Sequence, residues 1–191
     1  YTGFLPNSPS PINEKNTLSG ELAIKLSTGS EMQGKLVTSG EYPHYRMSGS
    51  YISGTRYRLI ITNNEPAFVY VIGDDLTSNT SIVFPPREDI SPALTYKHSH
   101  LAIPNEQWYI EMDDTKGKDY ICVLYSKKEL DIKSIAQQVK RGDGTFYQRI
   151  MSALGQNIVS KSDLELKDDQ IKFTASTKNS IVPIIAEINH Q

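Results

Sequence analysis

Two histidines have the spacing at which a strand could hold a metal ion. His98 and His100 are two residues apart, and on an extended strand that spacing puts both imidazoles on one face. A metal site needs a third and usually a fourth ligand. His44 and His190 lie far away in the sequence, and no carboxylate pattern accompanies the pair. We therefore expect solvent-exposed loop histidines, no metal site and no cofactor.

Acidic residues cluster in one segment of the chain. They are Glu111, Asp113, Asp114 and Asp119. Calcium binds clustered carboxylate oxygens, but its common loop alternates its ligands and has glycine at the sixth position. Here Lys116 and Lys118 put positive charge where ligands would be needed. The segment is therefore predicted to be a solvated turn between two strands.

The candidate nucleophiles lack the context that activation requires. Cys122 lies in a run that is apolar on both faces, whereas a reactive thiolate needs exposure and a nearby cation or helix N-terminus. Gly49-Ser50 and Ser53-Gly54 have residue types of a nucleophile elbow, but the spacing is not G-x-S-x-G and no helix follows the strand. We predict no catalytic residue, and expect the chain not to be an enzyme.

The segment 42–58 interleaves aromatic rings with guanidinium groups. Tyrosine and arginine recur at recognition surfaces because they supply rigid contact area and planar donors, although strands also carry tyrosine for packing alone. The residues of this possible interaction surface are Tyr42, Tyr45, Arg46, Tyr51, Arg56 and Arg58.

Composition excludes several classes of protein. The chain has 191 residues, of which 38% are hydrophobic and 22% charged, so it can bury a core. A net charge of −2 argues against a large basic face for nucleic acid. A single cysteine excludes an internal disulfide framework. No apolar run approaches the roughly 18 residues of a membrane span, so we expect no such span.

The first 19 residues differ in composition from the rest. Pro6, Pro9 and Pro11 stand among Asn and Ser, which predicts a linker or extended arm over 1–19 and a single β-rich domain over 20–191. The chain begins with Tyr1 rather than Met. A removed secretory signal would account for this, so we expect a periplasmic or extracytoplasmic location. A cytoplasmic location within a longer multidomain chain is the alternative.

Most of the chain has the patterns of strands. Leu22, Ile24 and Leu26 alternate with less apolar residues, the period-two signature of a half-buried strand. The segments 55–61 and 67–72 are rich in β-branched and aromatic residues and flank a turn sequence, which predicts a hairpin. The segments 107–112 and 120–125 predict a second hairpin.

The last third of the chain changes period. Apolar residues at i, i+3, i+4 and i+7 predict a helix over 131–140 that Asp131 caps. Thr145 and Gln148 form a capping box for a second helix over 145–155, and Gly155 is placed to end it. Strands return around 171–175 and 181–188. The predicted fold is therefore mainly β (α+β), an antiparallel β-sandwich with two short helices in its C-terminal third.

The middle of the chain resembles a bacterial domain-of-unknown-function family, number four-three-eight-four. The residues that carry the resemblance, over roughly 50–128, are Gly54, Tyr57-Arg58-Leu59, Phe68-Val69-Tyr70-Val71, Phe84-Pro85, Ile103-Pro104, Gly117-x-Asp119 and Leu124-Tyr125-Ser126. The resemblance implies an accessory domain without catalytic residues, often joined to caspase-like peptidase, kinase or envelope proteins. The chain departs from the family pattern at Asp74-Asp75-Leu76, where a glycine turn is common, and in its helical C-terminal part.

Together these features favour a non-catalytic protein-binding or assembly module of a bacterial cell-envelope or multidomain protein. Its expected partner is another protein, not nucleic acid. Two alternatives remain open at this point. One is a carbohydrate-binding β-sandwich, which the tyrosine content favours. The other is an enzyme whose site is assembled from residues that are distant in sequence.

Overall fold

The chain folds into two β-sheets with a helical layer on one of them. The structure, a computed structural model, describes residues 16–75, 77, 79–176 and 180–191. The strands are β1 (Thr17–Leu26), β2 (Gly34–Val37), β3 (His44–Tyr51), β4 (Arg56–Asn63), β5 (Ala67–Asp75), β6 (Ser81–Phe84), β7 (Ala93–Leu94), β8 (Ser99–Ile103), β9 (Ile110–Glu111), β10 (Gly117–Ser126), β11 (Leu164–Leu166), β12 (Lys172–Ser176) and β13 (Val182–His190). The helices are α1 (Ile132–Arg141) and α2 (Phe146–Leu154), and two 3-10 turns follow at Gly155–Asn157 and Lys161–Asp163.

The strands form a sandwich, as the sequence predicts. The first sheet has the order β11-β12-β1-β4-β8, with β9 also paired to β4. The second sheet has the order β2-β3-β13-β10-β5-β6, with β7 also paired to β5. All these pairs are antiparallel except β3 with β13, which is parallel. The mainly β fold class with an antiparallel sandwich is thus confirmed, with this one parallel pair as an addition.

Alternating side chains fill the space between the sheets. Ile24 of β1 and Leu59 and Ile61 of β4 are fully buried, and Val123 of β10 and Ile188 of β13 face them from the second sheet. An apolar side chain in this position gains about 1.5–3 kcal/mol relative to exposure. The period-two pattern therefore indicated the core face of these strands correctly.

The two helices cover the outer face of the second sheet. Val139, Phe146 and Ile150 pack on the sheet residues Ile72 and Cys122. Cys122 is fully buried, and this burial raises the pKa of its thiol. Both helices were predicted with nearly these bounds, and neither has the length and apolar composition that a membrane crossing needs.

The helix starts are capped as their sequences predict. The Asp131 carboxylate accepts a hydrogen bond from Ser134 N at 3.0 Å. Thr145 and Gln148 form the reciprocal capping box. A buried ion pair then holds α2 to the sheet, since both Nη atoms of Arg149 donate to the Asp74 carboxylate, at 2.6 and 3.1 Å. Because Arg149 belongs to α2 and Asp74 to β5, this ion pair fixes the position of α2 on the second sheet.

Both predicted hairpins are wrong in their pairing, although their strands exist. β4 belongs to the first sheet and β5 to the second, so the turn 63–66 crosses the sandwich. Likewise β9 pairs with β4, whereas β10 pairs with β5 and β13. Gly, Pro and Asn suit a crossing connection as well as a hairpin turn, and local sequence does not distinguish the two.

The predicted linker ends earlier than expected. Its residues 17–19 lie in β1, where Thr17 and Leu18 pair with Ser176 and Ala175 of β12. That partner strand comes from the far end of the chain, so the local sequence could not indicate the pairing. Asn16 is exposed ahead of β1, and residues 1–15 of the predicted linker lie outside the described residues.

Candidate functional site

Two of the six predicted interaction residues lie inside the protein. Tyr42 and Tyr45 are each 1% exposed. Tyr45 is in the sandwich core and donates a hydrogen bond to Lys167 O at 2.7 Å, and its burial raises the pKa of the phenol to about 12. Tyr42 lies in the layer under the helices. The prediction of a surface is wrong for these two residues. Tyr45 lies on β3, which is inside its sheet, and faces the sandwich core, whereas Tyr42 precedes β3 and packs under the helices.

Arg46 belongs to a charge cluster on the helical face of the second sheet. Its Nε donates to Glu187 Oε1 at 2.9 Å, as does Lys118 Nζ at 2.9 Å. Tyr147 OH donates to the other carboxylate oxygen at 2.8 Å. Burial raises the pKa of Glu187, but the hydrogen bonds from Lys118, Tyr147 and Arg46 outweigh it and leave the pKa lowered. The cluster holds α2 against the sheet.

Tyr51, Arg56 and Arg58 lie elsewhere. Tyr51 ends β3 and donates to Ser48 O at 3.2 Å. Arg56 and Arg58 alternate with buried Tyr57 and Leu59, so they face outward from the first sheet. The six residues are therefore dispersed over the core, the helical face and the outer face, and only the two β4 arginines share one surface.

Of the two outward-facing arginines, Arg58 contacts an aromatic residue that the sequence pattern did not indicate. The Arg58 guanidinium lies 4.1 Å from the centre of the Tyr109 ring, and its Nη1 donates to Glu106 O at 2.7 Å. Trp108 beside them is 68% exposed. Arg56 is paired with Glu111 at 2.7 Å. Tyrosine, tryptophan and arginine are the residue types that dominate binding energy at protein interfaces. We call Arg58, Trp108 and Tyr109 the aromatic patch.

The patch adjoins an open strand edge. Within the described part of the chain, no strand pairs with the outer side of β8. The segments on either side of this strand, 95–98 and 104–109, are exposed throughout. Tyr96 is 78% exposed at one end, and Trp108 stands at the other. The edge and its two rings form a continuous accessible strip.

In the described ranges of the chain, the other edges of the two sheets are protected, whereas the edge of β8 is not. Proteins guard strand edges with charged side chains, short strands or a covering element. β2 carries Lys35 and β11 carries Glu165; β6 contacts α1. β7 and β9 have two residues each. β8 has the sequence SHLAI, which contains neither Asp, Glu, Lys nor Arg.

His98 and His100, which were considered as metal ligands, do not lie on the same face of a strand. His98 has a φ of +57° and lies in the turn before β8, whereas His100 is in β8, with Nδ1 3.0 Å from Thr62 Oγ1. Among the residues that the structure describes, no group of three His, Cys, Asp or Glu side chains is placed to hold a metal ion. The positive φ of His98 is the reason that the strand geometry does not apply.

A cavity of about 440 Å³ lies between the 85–92 loop and the start of α1. Its walls include Pro85, Pro92 and Leu130, and its rim carries charges of both signs, among them Arg87 and Glu129. The size suits a small ligand. The charged side chains at its rim have opposite signs and do not favour a ligand of one charge, so we assign the cavity no ligand.

Three residues far apart in sequence meet at the end of the sandwich where β13 finishes. Ser53 Oγ lies 3.1 Å from His190 Nε2, and His190 Nδ1 lies 3.2 Å from Asp119 Oδ2. The second contact is at ion-pair distance, but the ring N–H is too far out of line for a hydrogen bond. We call Ser53, His190 and Asp119 the serine cluster.

Strand register and one turn place these residues. His190 continues the inward face of Ile188 on β13, and Asp119 pairs with Ile188 on the neighbouring β10. Ser53 lies in the turn between β3 and β4, where Thr55 N donates to Ile52 O at 3.0 Å. Gly54 has a φ of +81°, which non-glycine residues seldom adopt. The turn thereby directs Ser53 toward the end of β13.

The carboxylate of the serine cluster lies in an acidic environment. A cavity of about 170 Å³ beside it is lined by several acidic residues, among them Asp75, Glu111, Asp113 and Asp119. Burial raises the pKa of Asp119, and the charges of Asp113 and Asp75 raise it further, against the opposing effect of His190. His190 itself is buried, with 4% of the residue exposed.

No family model, curated protein or solved structure significantly matches this chain. The resemblance to family four-three-eight-four thus stays a prediction. What the chain does has to be argued from its own geometry.

Proposed function

We propose that the chain is a protein-binding module that accepts an extended segment of a partner protein along β8. The observation that carries the proposal is the unguarded edge of this strand, which lies between exposed Tyr96 and the aromatic patch. An extended peptide can add to such an edge as a further strand, with main-chain hydrogen bonds supplying affinity and side-chain pockets supplying specificity.

The dimensions and residue types fit this mode of binding. β8 has five residues, which at about 3.4 Å per residue give an edge of roughly 17 Å. Trp108 and the Arg58–Tyr109 pair offer rigid, amphipathic contact area beside it. A bound segment would therefore gain both backbone pairing and an aromatic anchor.

The proposal agrees with what the family resemblance implies, an accessory domain in a bacterial envelope or multidomain protein. A periplasmic or extracytoplasmic location remains part of the same proposal. A glycan-binding role would require exposed rings that lie in one plane. Tyr109, one of the exposed rings, is instead in contact with the Arg58 guanidinium on one face, which favours a protein partner.

Selection from a linear peptide library displayed on phage tests the proposal directly. We expect enriched peptides whose binding shifts the backbone amide resonances of Ser99–Ile103 in nuclear magnetic resonance spectra. Trp108→Ala should weaken binding by about 2 kcal/mol, or roughly 30-fold in Kd. Ala102→Lys should also weaken binding, because it adds the kind of charge that guards other edges.

Gln137→Ala, an exposed change on α1, is the matched control and should leave Kd unchanged. Peptides that shift only resonances outside 95–109 would contradict the proposal. Binding to a glycan array without any enriched peptide would instead favour the carbohydrate-binding alternative.

A further inference from the structure

The serine cluster brings together the three kinds of group, a hydroxyl, an imidazole and a carboxylate, that form the nucleophilic site of serine hydrolases. In serine hydrolases, one imidazole nitrogen accepts the serine proton while the other faces a carboxylate. Here His190 Nε2 faces Ser53 Oγ at 3.1 Å and Nδ1 faces Asp119 Oδ2 at 3.2 Å. Each nitrogen thus faces the group that its role requires. A sequence search for G-x-S-x-G could not find this arrangement, because its three members come from a turn and two strands.

We propose that Ser53 is a nucleophile that small activated esters acylate, with His190 as its general base and Asp119 as the group that orients the imidazole. Because an ionised carboxylate only accepts hydrogen bonds, the tautomer of His190 with its proton on Nδ1 suits Asp119 and leaves Nε2 free to accept from Ser53. The imidazole has to rotate before Nδ1–H can donate to Asp119, because the two are in contact but not aligned. Such contacts are often poorly aligned before substrate binds.

The reaction is an acyl transfer to serine and then to water. Ser53 Oγ forms a bond to the ester carbonyl carbon as its proton moves to His190 Nε2. The carbon–oxygen bond to the leaving group then breaks, and His190 returns the proton to the departing oxygen. Water next attacks the acyl carbon and gives a proton to Nε2. That proton restores the Ser53 hydroxyl as the carboxylic acid leaves.

The surroundings restrict the substrates to reactive ones. Gly54 N–H, the donor that follows the nucleophile, is already bonded to Met112 O at 2.8 Å. Loss of one hydrogen-bond donor to the negatively charged oxygen of the reaction intermediate lowers kcat by about 10²–10³-fold. Esters with poor leaving groups, and peptides, are therefore outside its range. Acylation of Ser53, more than rapid turnover, is the property to measure.

The test uses a fluorophosphonate probe on the full chain, with mass spectrometry to locate the adduct. Ser50, an exposed serine three residues away, serves as the internal reference. A positioned general base contributes about 10²–10⁴-fold, so Ser53 should be labelled at least about 100-fold faster than Ser50. Labelling at equal rates would overturn the proposal.

A second measurement leaves buried His190 unchanged, so its result does not depend on whether a His190 variant folds. Ser53→Cys and Ser50→Cys are compared for alkylation by iodoacetamide as a function of pH, while buried Cys122 stays unreactive. An imidazole next to the thiol lowers its apparent pKa from the ordinary value of about 8.5. We expect that decrease for Ser53→Cys only, and identical profiles for the two variants would also overturn the proposal. Among the charged and titratable groups near this site, Asp75 and Asp113 raise the pKa of Asp119, the Asp119 charge raises the pKa of Tyr57, and Glu111 lines the same cavity.

Discussion

At the scale of single residues, the buried carboxylates of Glu187 and Asp74 are paired with groups that are distant in sequence. Glu187 is 3% exposed at its side chain and accepts from Arg46, Lys118 and Tyr147. Asp74 is fully enclosed and paired with Arg149. A buried carboxylate without such donors would be strongly destabilising. These clusters therefore restrict how the sheets and helices fit together.

Glu187→Gln should lower the free energy of unfolding at neutral pH by about 3 kcal/mol, because it removes the charge that three donors stabilise. The pKa of Glu187 is lowered in the folded state, so its contribution is present above the unfolded-state pKa. It is lost as the pH falls through the folded-state pKa. Urea denaturation at neutral and acid pH should show the difference from the wild type becoming smaller in acid.

Glu111→Gln is the matched control for this measurement. Glu111 is also paired with an arginine, Arg56, but both side chains are more than half exposed. Exposed pairs contribute at most about 1 kcal/mol. If Glu187→Gln were as mild as Glu111→Gln at neutral pH, the buried cluster would not stabilise the fold.

At the scale of elements, the helices depend on both their own ends and the sheet below. Thr145 caps α2 through the Gln148 N–H and also donates to Glu41 at 2.9 Å. Ile150 and Leu154 of the same helix are buried against the second sheet. The capping motif determines where α2 starts, and the packing determines which side faces the sheet.

Thr145→Ala should destabilise the protein by about 1 kcal/mol, the usual cost of losing an N-cap. Thermal unfolding followed by circular dichroism would measure it. Thr28→Ala, in an exposed turn, should change stability by less than about 0.5 kcal/mol. Equal effects of the two changes would show that the cap does not contribute to stability.

At the scale of the whole molecule, strands at the centre of the second sheet are better protected from solvent than the strand at the edge of the first sheet. β10 lies between β13 and β5, with the sandwich core on one side and the helices on the other. Among the strands of the described residues, β8 has a neighbour on one side only. β10 is thus in the middle one of three layers, covered by the first sheet on one side and by the helices on the other, while the proposed binding edge lies at the border of an outer layer of the described residues.

Native-state hydrogen exchange should reproduce this gradient. Amides of β10 should exchange only through global unfolding, and the unpaired amides of β8 should exchange through local fluctuations at much lower free energy. Exchange from β8 as slow as from β10 would mean that its edge is covered, and would remove the basis for partner binding there.

The local pattern of the chain determined its strands and helices, because alternation and helical periodicity show directly which side chains are buried. The capping residues Asp131 and Thr145 were evident for the same reason. The pairing of strands was not evident from the sequence, because the turns 63–66 and 112–117 suit a hairpin and a connection between the two sheets equally well. Only the tertiary structure decided that Tyr45 is buried and that Arg58 meets Tyr109. The same holds for Ser53, Asp119 and His190, whose approach depends on the register of strands separated by most of the chain.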